Sequence, residues 1–142
     1  MGLYNFFSPH IMTKTTLSFP IYSSVQKINL PYPIKNCFAI RVNQLTFKFN
    51  DFNKKLFLLS LSSLDNHKYF DGSKLDNYTF IFFNDGSKST LNYLNNLNTY
   101  DSTFKSRNLE YLDICIKIDG NADQVISLEN PVYIELDFIE AN

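Results

Sequence analysis

Hydrophobic and polar residues alternate along several short segments of the chain, which is typical of β-strands that bury one face. The alternation is clearest in two segments near the C-terminal end, 111–118 and 132–138. Their predicted inward-facing residues are Leu112, Ile114, Ile116, Ile118, Val132, Ile134, Leu136 and Phe138. Glu135 and Asp137 share the opposite side of the second segment, and because like charges favour water, we expect both carboxylates to be exposed.

A third alternating segment changes its phase halfway. Ile40 and Val42 alternate with polar residues, but the apolar positions then move by one residue, to Leu45 and Phe47. A strand whose apolar face switches in this way usually contains one extra residue. We therefore predict a strand with a β-bulge near Asn43–Gln44.

The middle of the chain predicts shorter strands and one irregular stretch. Apolar residues at 57–61 and 78–83 indicate two strands, with polar, turn-rich sequence between them. Within 91–108, leucine recurs every three residues, but the neighbouring asparagines disfavour a helix. We predict an irregular connection there, with room for one helical turn. The leucines in question are Leu91, Leu94 and Leu97.

Composition narrows the fold class further. The 142 residues suffice for one domain, and they include 14 Phe and 9 Tyr but only 19% charged residues. A chain this aromatic can bury enough apolar surface to offset the entropy of ordering, which excludes intrinsic disorder. Short strands, polar turns and no long helical pattern together predict an all-β protein, a single jelly-roll-like antiparallel β-sandwich.

The N-terminal segment differs from the rest of the chain. It contains four of the five prolines, which remove donors from a sheet, and aromatic residues without sustained alternation. We predict an extended N-terminal arm or edge segment at 1–33 and a β-sandwich domain at 34–142. The alternative is that residues 11–25 form the first strand of the same domain. The predicted partner-binding residues of the arm are Tyr4, Phe6, Phe7, Phe19 and Tyr22.

Charge and hydropathy exclude two classes of partner. The net charge is −1 and the largest basic cluster is Lys54–Lys55, so we expect no nucleic-acid binding. No apolar run approaches the length of a transmembrane helix and no secretory signal is recognisable, so we expect no membrane insertion. Cys37 and Cys115 lie in separate apolar segments. We expect two free thiols, with one disulfide between neighbouring strands as the alternative.

Candidate residues for chemistry are few. His10 and His67 lie in loop-like sequence without the nucleophile pattern of a hydrolase, and we expect both to be surface residues. Asp119, Asn121 and Asp123 have the spacing of a calcium loop, but the glycine that such a loop requires is missing. We therefore predict a protein that is not an enzyme and has no catalytic, cofactor-binding or metal-binding residues.

The order of the segments resembles a known protein family over residues 34–140. The resemblance begins with the strands of Ile34–Leu61 and an Asn- and Asp-rich loop, and it ends with Ser127–Pro131 and the strand Val132–Phe138. Between them come Phe104, Leu109, Leu112, Ile114, Ile116, Ile118 and Gly120. This pattern is similar to the small single jelly-roll minor capsid and penton-type proteins of large double-stranded DNA viruses, virophages and polinton-like viruses.

The resemblance implies a structural subunit of a virion, synthesised in the host cytoplasm, with no catalytic or cofactor residues. The implied partners are other capsid proteins, including a double jelly-roll major capsid protein, in a homo- or hetero-oligomer. Two alternatives stay open. One is a carbohydrate- or ligand-binding β-sandwich module, since tyrosine can form a sugar-binding platform, and the other is an accessory subunit of a large protist complex.

Overall fold

The computed structural model describes residues 12–48, 56–84, 90–119 and 131–141, and most of them lie in β-strands. A short 3₁₀ turn, Ser62–Leu64, follows the third strand. In these ranges no helix is long and apolar enough to span a membrane. The prediction of an all-β fold is confirmed. The strands are β1 Met12–Ile21, β2 Val25–Lys48, β3 Leu56–Ser60, β4 His67–Phe70, β5 Leu75–Tyr78, β6 Phe80–Phe83, β7 Thr90–Leu94, β8 Ser102–Ile118 and β9 Val132–Ala141.

One curled antiparallel sheet contains most of these strands, in the order β1-β9-β2-β8-β3-β6. The 24-residue strand β2 organises the sheet, because it pairs with β8, with β9 and, near its end, with β7. The β9 and β7 pairings overlap along β2, so β9 occupies one edge of β2 while β8 and β7 share the other. A separate hairpin of β4 and β5 extends from the end of β3.

Bulges allow β2 to bend between its partners. The register shifts between Val42 and Gln44 against β9, which confirms the predicted bulge at the change of apolar phase. A second irregularity lies between Ile34 and Cys37, where Asn36 adopts a left-handed φ of 56°. Asparagine tolerates this conformation better than most residues. The Asn36 amide donates a hydrogen bond to Oδ1 of Asn108 (3.1 Å), which ties the bulge to β8.

The core lies on the concave side of the curled sheet. Cross-strand pairing places Leu17 of β1, Leu136 of β9 and Val42 of β2 in one row, and these side chains join the same apolar cluster. All of the inward-facing residues predicted for β8 and β9 are buried, which confirms both strands and their faces. Their burial supplies most of the apolar contact between the two long C-terminal strands and the rest of the sheet.

Residues 91–94 and 102–108 correct one prediction, because they belong to strands β7 and β8 and not to an irregular connection. Leu91 is fully buried, Asn92 is exposed and Tyr93 is half-buried, so side-chain burial alternates here with the two-residue period of a strand. The three-residue leucine spacing is misleading because Leu97 lies beyond the strand and is 81% exposed. Pairing with the end of β2 outweighs the weak helical pattern.

The described part of the N-terminal segment joins the main sheet. Strand β1 pairs along its whole length with β9, from Met12 opposite Ala141 to Ile21 opposite Val132. This agrees with the edge-segment form of the prediction and with its alternative, a first strand of the same domain. The predicted boundary at 33/34 falls inside the continuous strand β2. The remaining part of the predicted arm, residues 1–11, lies outside the described residues.

Candidate functional site

Two of the five predicted partner-binding residues can be placed in the structure. Phe19 lies in β1, is half-buried and packs against the core cluster, because it continues the inward face of Leu17 and Ile21. One part of its side chain therefore packs against the core, and its predicted role in partner binding stays a prediction. Tyr22 follows β1 and is 43% exposed. The other predicted residues, Tyr4, Phe6 and Phe7, lie outside the described part of the chain.

The side chain of Gln26 helps to hold the turn that presents Tyr22. Oε1 of Gln26 accepts hydrogen bonds from the backbone amides of Tyr22 (2.9 Å) and Ser23 (3.3 Å). Val25, in the same turn region, is 68% exposed. Two large apolar side chains thus project from a turn whose backbone is fixed, immediately beside the edge strand β1.

A second feature is a cleft of about 260 Å³ on the far side of β2 from β9. It lies where the first residue of β4, the junction of β5 and β6, strand β7 and the connection from β7 to β8 meet. Its lining residues are His67, Tyr78, Thr79, Phe80, Ile81, Tyr93, Tyr100 and Asp101. Aromatic rings and one carboxyl group therefore form a concave surface, the arrangement typical of ligand sites.

His67 and Tyr78 are cross-strand neighbours that form one wall of the cleft. Pairing of β4 with β5 sets the two residues opposite each other, and their rings stack at 5.3 Å with an interplanar angle of 25°. Nε2 of His67 lies 2.7 Å from the backbone oxygen of Asp101. A carbonyl oxygen only accepts hydrogen bonds, so Nε2 carries the proton. His67 is exposed, as expected, but its ring is held in place from two sides.

Asp65 holds Thr79, the residue between β5 and β6 that directly follows Tyr78 in the wall of the cleft. Its Oδ1 accepts hydrogen bonds from the Leu61 amide and from the Thr79 hydroxyl, both at 2.7 Å. The Thr79 amide in turn donates to the backbone oxygen of Leu59 (2.8 Å). These bonds tie the hairpin to β3 and fix the place of Tyr78 and its neighbours at the cleft.

Asp101 supplies the carboxyl group of the cleft. Its amide donates to the Ile40 oxygen (2.9 Å), and its Oδ2 accepts a hydrogen bond from the Val42 amide (2.6 Å). Burial raises the pKa of Asp101 to about 6, although the Val42 amide and the charges of His67 and Arg41 act in the opposite direction. A carboxyl group with this pKa can gain or lose a proton close to neutral pH.

Aromatic contacts complete the cleft. The rings of Phe80 and Tyr93 meet edge to face at 4.7 Å, and Tyr100 makes an edge contact with Phe38 at 6.4 Å. Burial raises the pKa of Tyr93, and the neighbouring Asp101 carboxylate raises it further. Tyr93 therefore stays a neutral phenol that can donate a hydrogen bond.

Sequence reasoning did not identify this cleft. Its residues come from four separate places in the chain, and Tyr93, Tyr100 and Asp101 lie in the stretch predicted as irregular. The available signal was the position of these tyrosines, which stand in Asn-rich sequence and outside the clean alternations that mark core residues. That signal indicates half-exposed aromatic residues but not where they meet.

The expectation for Asp137 is wrong, because its side chain is completely buried on the outer side of β9. It pairs with Arg41 of β2 and accepts a hydrogen bond from the Thr16 hydroxyl of β1 (2.5 Å). Burial alone would raise the pKa of Asp137, but hydrogen bonds from Thr16, Arg41 and Asn43, together with the charge of Lys14, lower it overall. Glu135 is half-buried, and Ser18 lies 3.5 Å from its carboxylate.

In the described part of the chain, the structure does not bring the remaining candidate residues for chemistry together. Cys37 is buried, Cys115 is half-buried, and both are free thiols whose pKa values are raised first of all by burial. Asp119 accepts a hydrogen bond from the Leu56 amide (2.8 Å) and ties β8 to β3. The rest of the calcium-like spacing, and His10, lie outside the described ranges, within which no group of three or more His, Cys, Asp or Glu could hold a metal ion.

Comparison with known proteins adds no assignment. No protein-family model matches the chain, and no curated protein matches it.

Proposed function

We propose that this protein is a non-enzymatic structural subunit of a virion, a minor capsid or penton-type protein of the single jelly-roll class. It binds neighbouring capsid proteins, among them a double jelly-roll major capsid protein, and acts within the assembled particle. The all-β fold and the curled antiparallel sheet support this proposal. The resemblance of the sequence pattern over residues 34–140 to that virion family gives the proposal its specific form.

The observation that carries the proposal is the exposed apolar turn at the edge of the sheet. Tyr22 is 43% exposed and Val25 68% exposed, and Gln26 fixes the backbone between them. Aromatic residues that protrude from a rigid backbone lose little entropy on binding and are common interface anchors. This turn continues an edge strand, and no described strand pairs with the outer edge of β1.

The edge of β1 suits a contact between subunits. An unpaired strand edge can add a strand from a partner, whose main-chain hydrogen bonds then supply affinity. Its outward-facing residues include Thr16 and Ser18, which do not obstruct such pairing, and Lys14 is the one charged residue of the strand. The turn would add side-chain anchors to these backbone contacts.

A co-expression experiment tests the proposal. The chain is produced with the double jelly-roll capsid protein encoded in the same genome, and capsid-protein assemblies are isolated by sedimentation and examined by electron microscopy. We expect the chain to sediment with the assemblies at a fixed stoichiometry. The double variant Tyr22→Ser/Val25→Ser should lower the bound amount about tenfold or more.

Phe70→Ser is the matched control, because Phe70 is 63% exposed but lies at the end of the β4–β5 hairpin. It should leave the bound amount unchanged. Failure of the wild-type chain to associate with capsid assemblies would overturn the proposed virion role. Equal loss in the control and the turn variant would show that the turn is not the docking surface.

A further inference from the structure

The cleft around Asp101 combines acceptor atoms with aromatic rings. Within the described ranges, no lysine or arginine side chain lines it. Oδ2 of Asp101 accepts the hydrogen bond from the Val42 amide, whereas Oδ1 accepts none from the described residues. Arg41, the nearby cation, is engaged by Asp137 on β9. Among the described residues, the carboxylate therefore has no lysine or arginine partner of its own within the cleft.

The histidine adds a second acceptor. Its Nε2 donates to the Asp101 backbone oxygen, so in the neutral ring Nδ1 is the atom that accepts. The stacking of His67 on Tyr78 keeps the ring in this orientation. Because both residues line the cleft, a carboxyl group and an imidazole ring stand beside any ligand that donates hydrogen bonds there.

The aromatic rings favour a positive charge in the same place. Tyr78, Tyr93 and Tyr100 line the cleft, and the edge-to-face contact of Tyr93 with Phe80 leaves the rings at an angle of 63°. Aromatic faces carry partial negative charge and attract ammonium groups, most strongly where water is partly excluded. Several non-parallel rings beside one carboxylate are a suitable environment for an organic cation.

We propose that this cleft binds an alkylammonium group, the chemistry of a lysine side chain or of a small primary amine. The ammonium nitrogen carries three donors and no acceptor, which matches the acceptors of Asp101 and His67, and its alkyl stem contacts the tyrosine rings. A volume of about 260 Å³ accommodates such a group. This proposal is independent of the virion role and of the turn at Tyr22.

The state of Asp101 without ligand agrees with this assignment. Burial raises the pKa of this carboxyl group to about 6, so the Val42 amide and the charges of His67 and Arg41 do not fully offset the cost of burying its negative charge. A bound cation would supply the missing compensation. A neutral sugar would leave the charge as it is, so charge complementarity favours the amine over the carbohydrate.

Binding is tested by NMR titration of the ¹⁵N-labelled full chain. The probe is n-butylammonium chloride, and 1-butanol is its neutral analogue of the same chain length. We expect saturable shifts confined to the cleft residues with the amine and at least about fivefold weaker binding of the alcohol. Methyl α-glucoside, added separately, should not shift these resonances.

Two variants locate the site. Asp101→Asn keeps an acceptor for the Val42 amide but removes the charge, and we expect about tenfold weaker amine binding. Asp113→Asn removes an exposed carboxylate of β8 that does not line the cleft, and it should leave the affinity for the amine unchanged. If Asp101→Asn does not fold, Tyr100→Leu replaces it, because Tyr100 is 40% exposed and its loss should weaken binding about threefold.

A further arm distinguishes the two sources of the ammonium group. Tighter binding of Nα-acetyl-lysine N-methylamide than of butylammonium supports a lysine of a partner protein, and equal binding supports a small amine. Equal affinity for amine and alcohol would overturn the proposal, as would shifts with the glucoside but not with the amine. If no resonance of a cleft residue shifts even at the highest amine concentration of the titration, the proposal is also overturned.

Discussion

The two sides of β9 are buried to a similar extent near Asp137, but by different means. On the inner side, Leu136 and Phe138 are fully buried among apolar side chains, whose attraction has little directional preference. On the outer side, Asp137 is fully buried among polar partners, and its stability depends on particular hydrogen bonds and charges. Alternation along a strand therefore predicts the direction of a side chain but not its exposure.

The largest expected effect comes from the inner side. Phe138→Ala removes a fully buried ring and leaves a cavity, so we expect a loss of about 3–5 kcal/mol in the free energy of unfolding. Urea unfolding followed by circular dichroism measures it. A loss below about 1 kcal/mol would show that the curled sheet can collapse around the missing ring, which a rigid, close-packed core does not allow.

The outer side should be nearly as sensitive, for another reason. Arg41→Met keeps an unbranched apolar stem but leaves the carboxylate of Asp137 buried without its main cation, at a cost of about 3 kcal/mol. The double variant Arg41→Met/Asp137→Leu removes both charges and should recover at least half of that loss. If the double variant is as unstable as the single one, the network is stabilised by packing and not by charge compensation.

Asp101 provides a pH-dependent comparison with Asp137. Its raised pKa means that the folded protein binds more protons than the unfolded chain between about pH 4 and 6, so stability falls as the pH rises through this window. The groups around Asp101 in the described residues are His67, Arg41 and Tyr93. Asp101→Asn should therefore stabilise the protein by about 1 kcal/mol at pH 7.5.

The control for this prediction is the same pair of proteins at pH 3.5. At this pH the carboxyl group of Asp101 is largely protonated in both the folded and the unfolded wild-type protein. The difference in melting temperature between the wild type and Asp101→Asn should therefore vanish. Asp137, whose pKa is lowered, behaves oppositely and contributes stability that is lost as the pH falls. A stabilisation by Asp101→Asn that persists unchanged at pH 3.5 would contradict the electrostatic explanation.

The smallest effect is expected at Tyr133, which also lies on the outer side of β9. Tyr133 is 57% exposed between Pro20 and Thr46 in the register, and no ion pair of the described residues covers it. Tyr133→Ser should change the free energy of unfolding by less than about 0.5 kcal/mol. A larger loss of the free energy of unfolding, measured by thermal unfolding, would mean that contacts on the outer side of β9 stabilise the fold beyond the surroundings of Asp137.

These two sides also show how far the sequence predicts the structure. The apolar faces of β8 and β9 and the bulge after Val42 could be predicted, since period-two alternation depends only on neighbouring residues. The burial of Asp137 could not, because it requires Thr16 and Arg41, which are distant in sequence. The same holds for the cleft, where Asp101 meets His67 only after the hairpin and the β7–β8 connection are in place.

The pairing of β1 with β9 has a consequence for synthesis of the chain. Residues 12–21 leave the ribosome long before residues 132–141, which are their partners in the sheet. Until then, Leu17 and Phe19 have no strand to pack beside, and long-range pairings of this kind form slowly. The nascent protein therefore exposes an apolar, aggregation-prone segment for most of its translation. Its yield in cells should depend on chaperones that bind such segments.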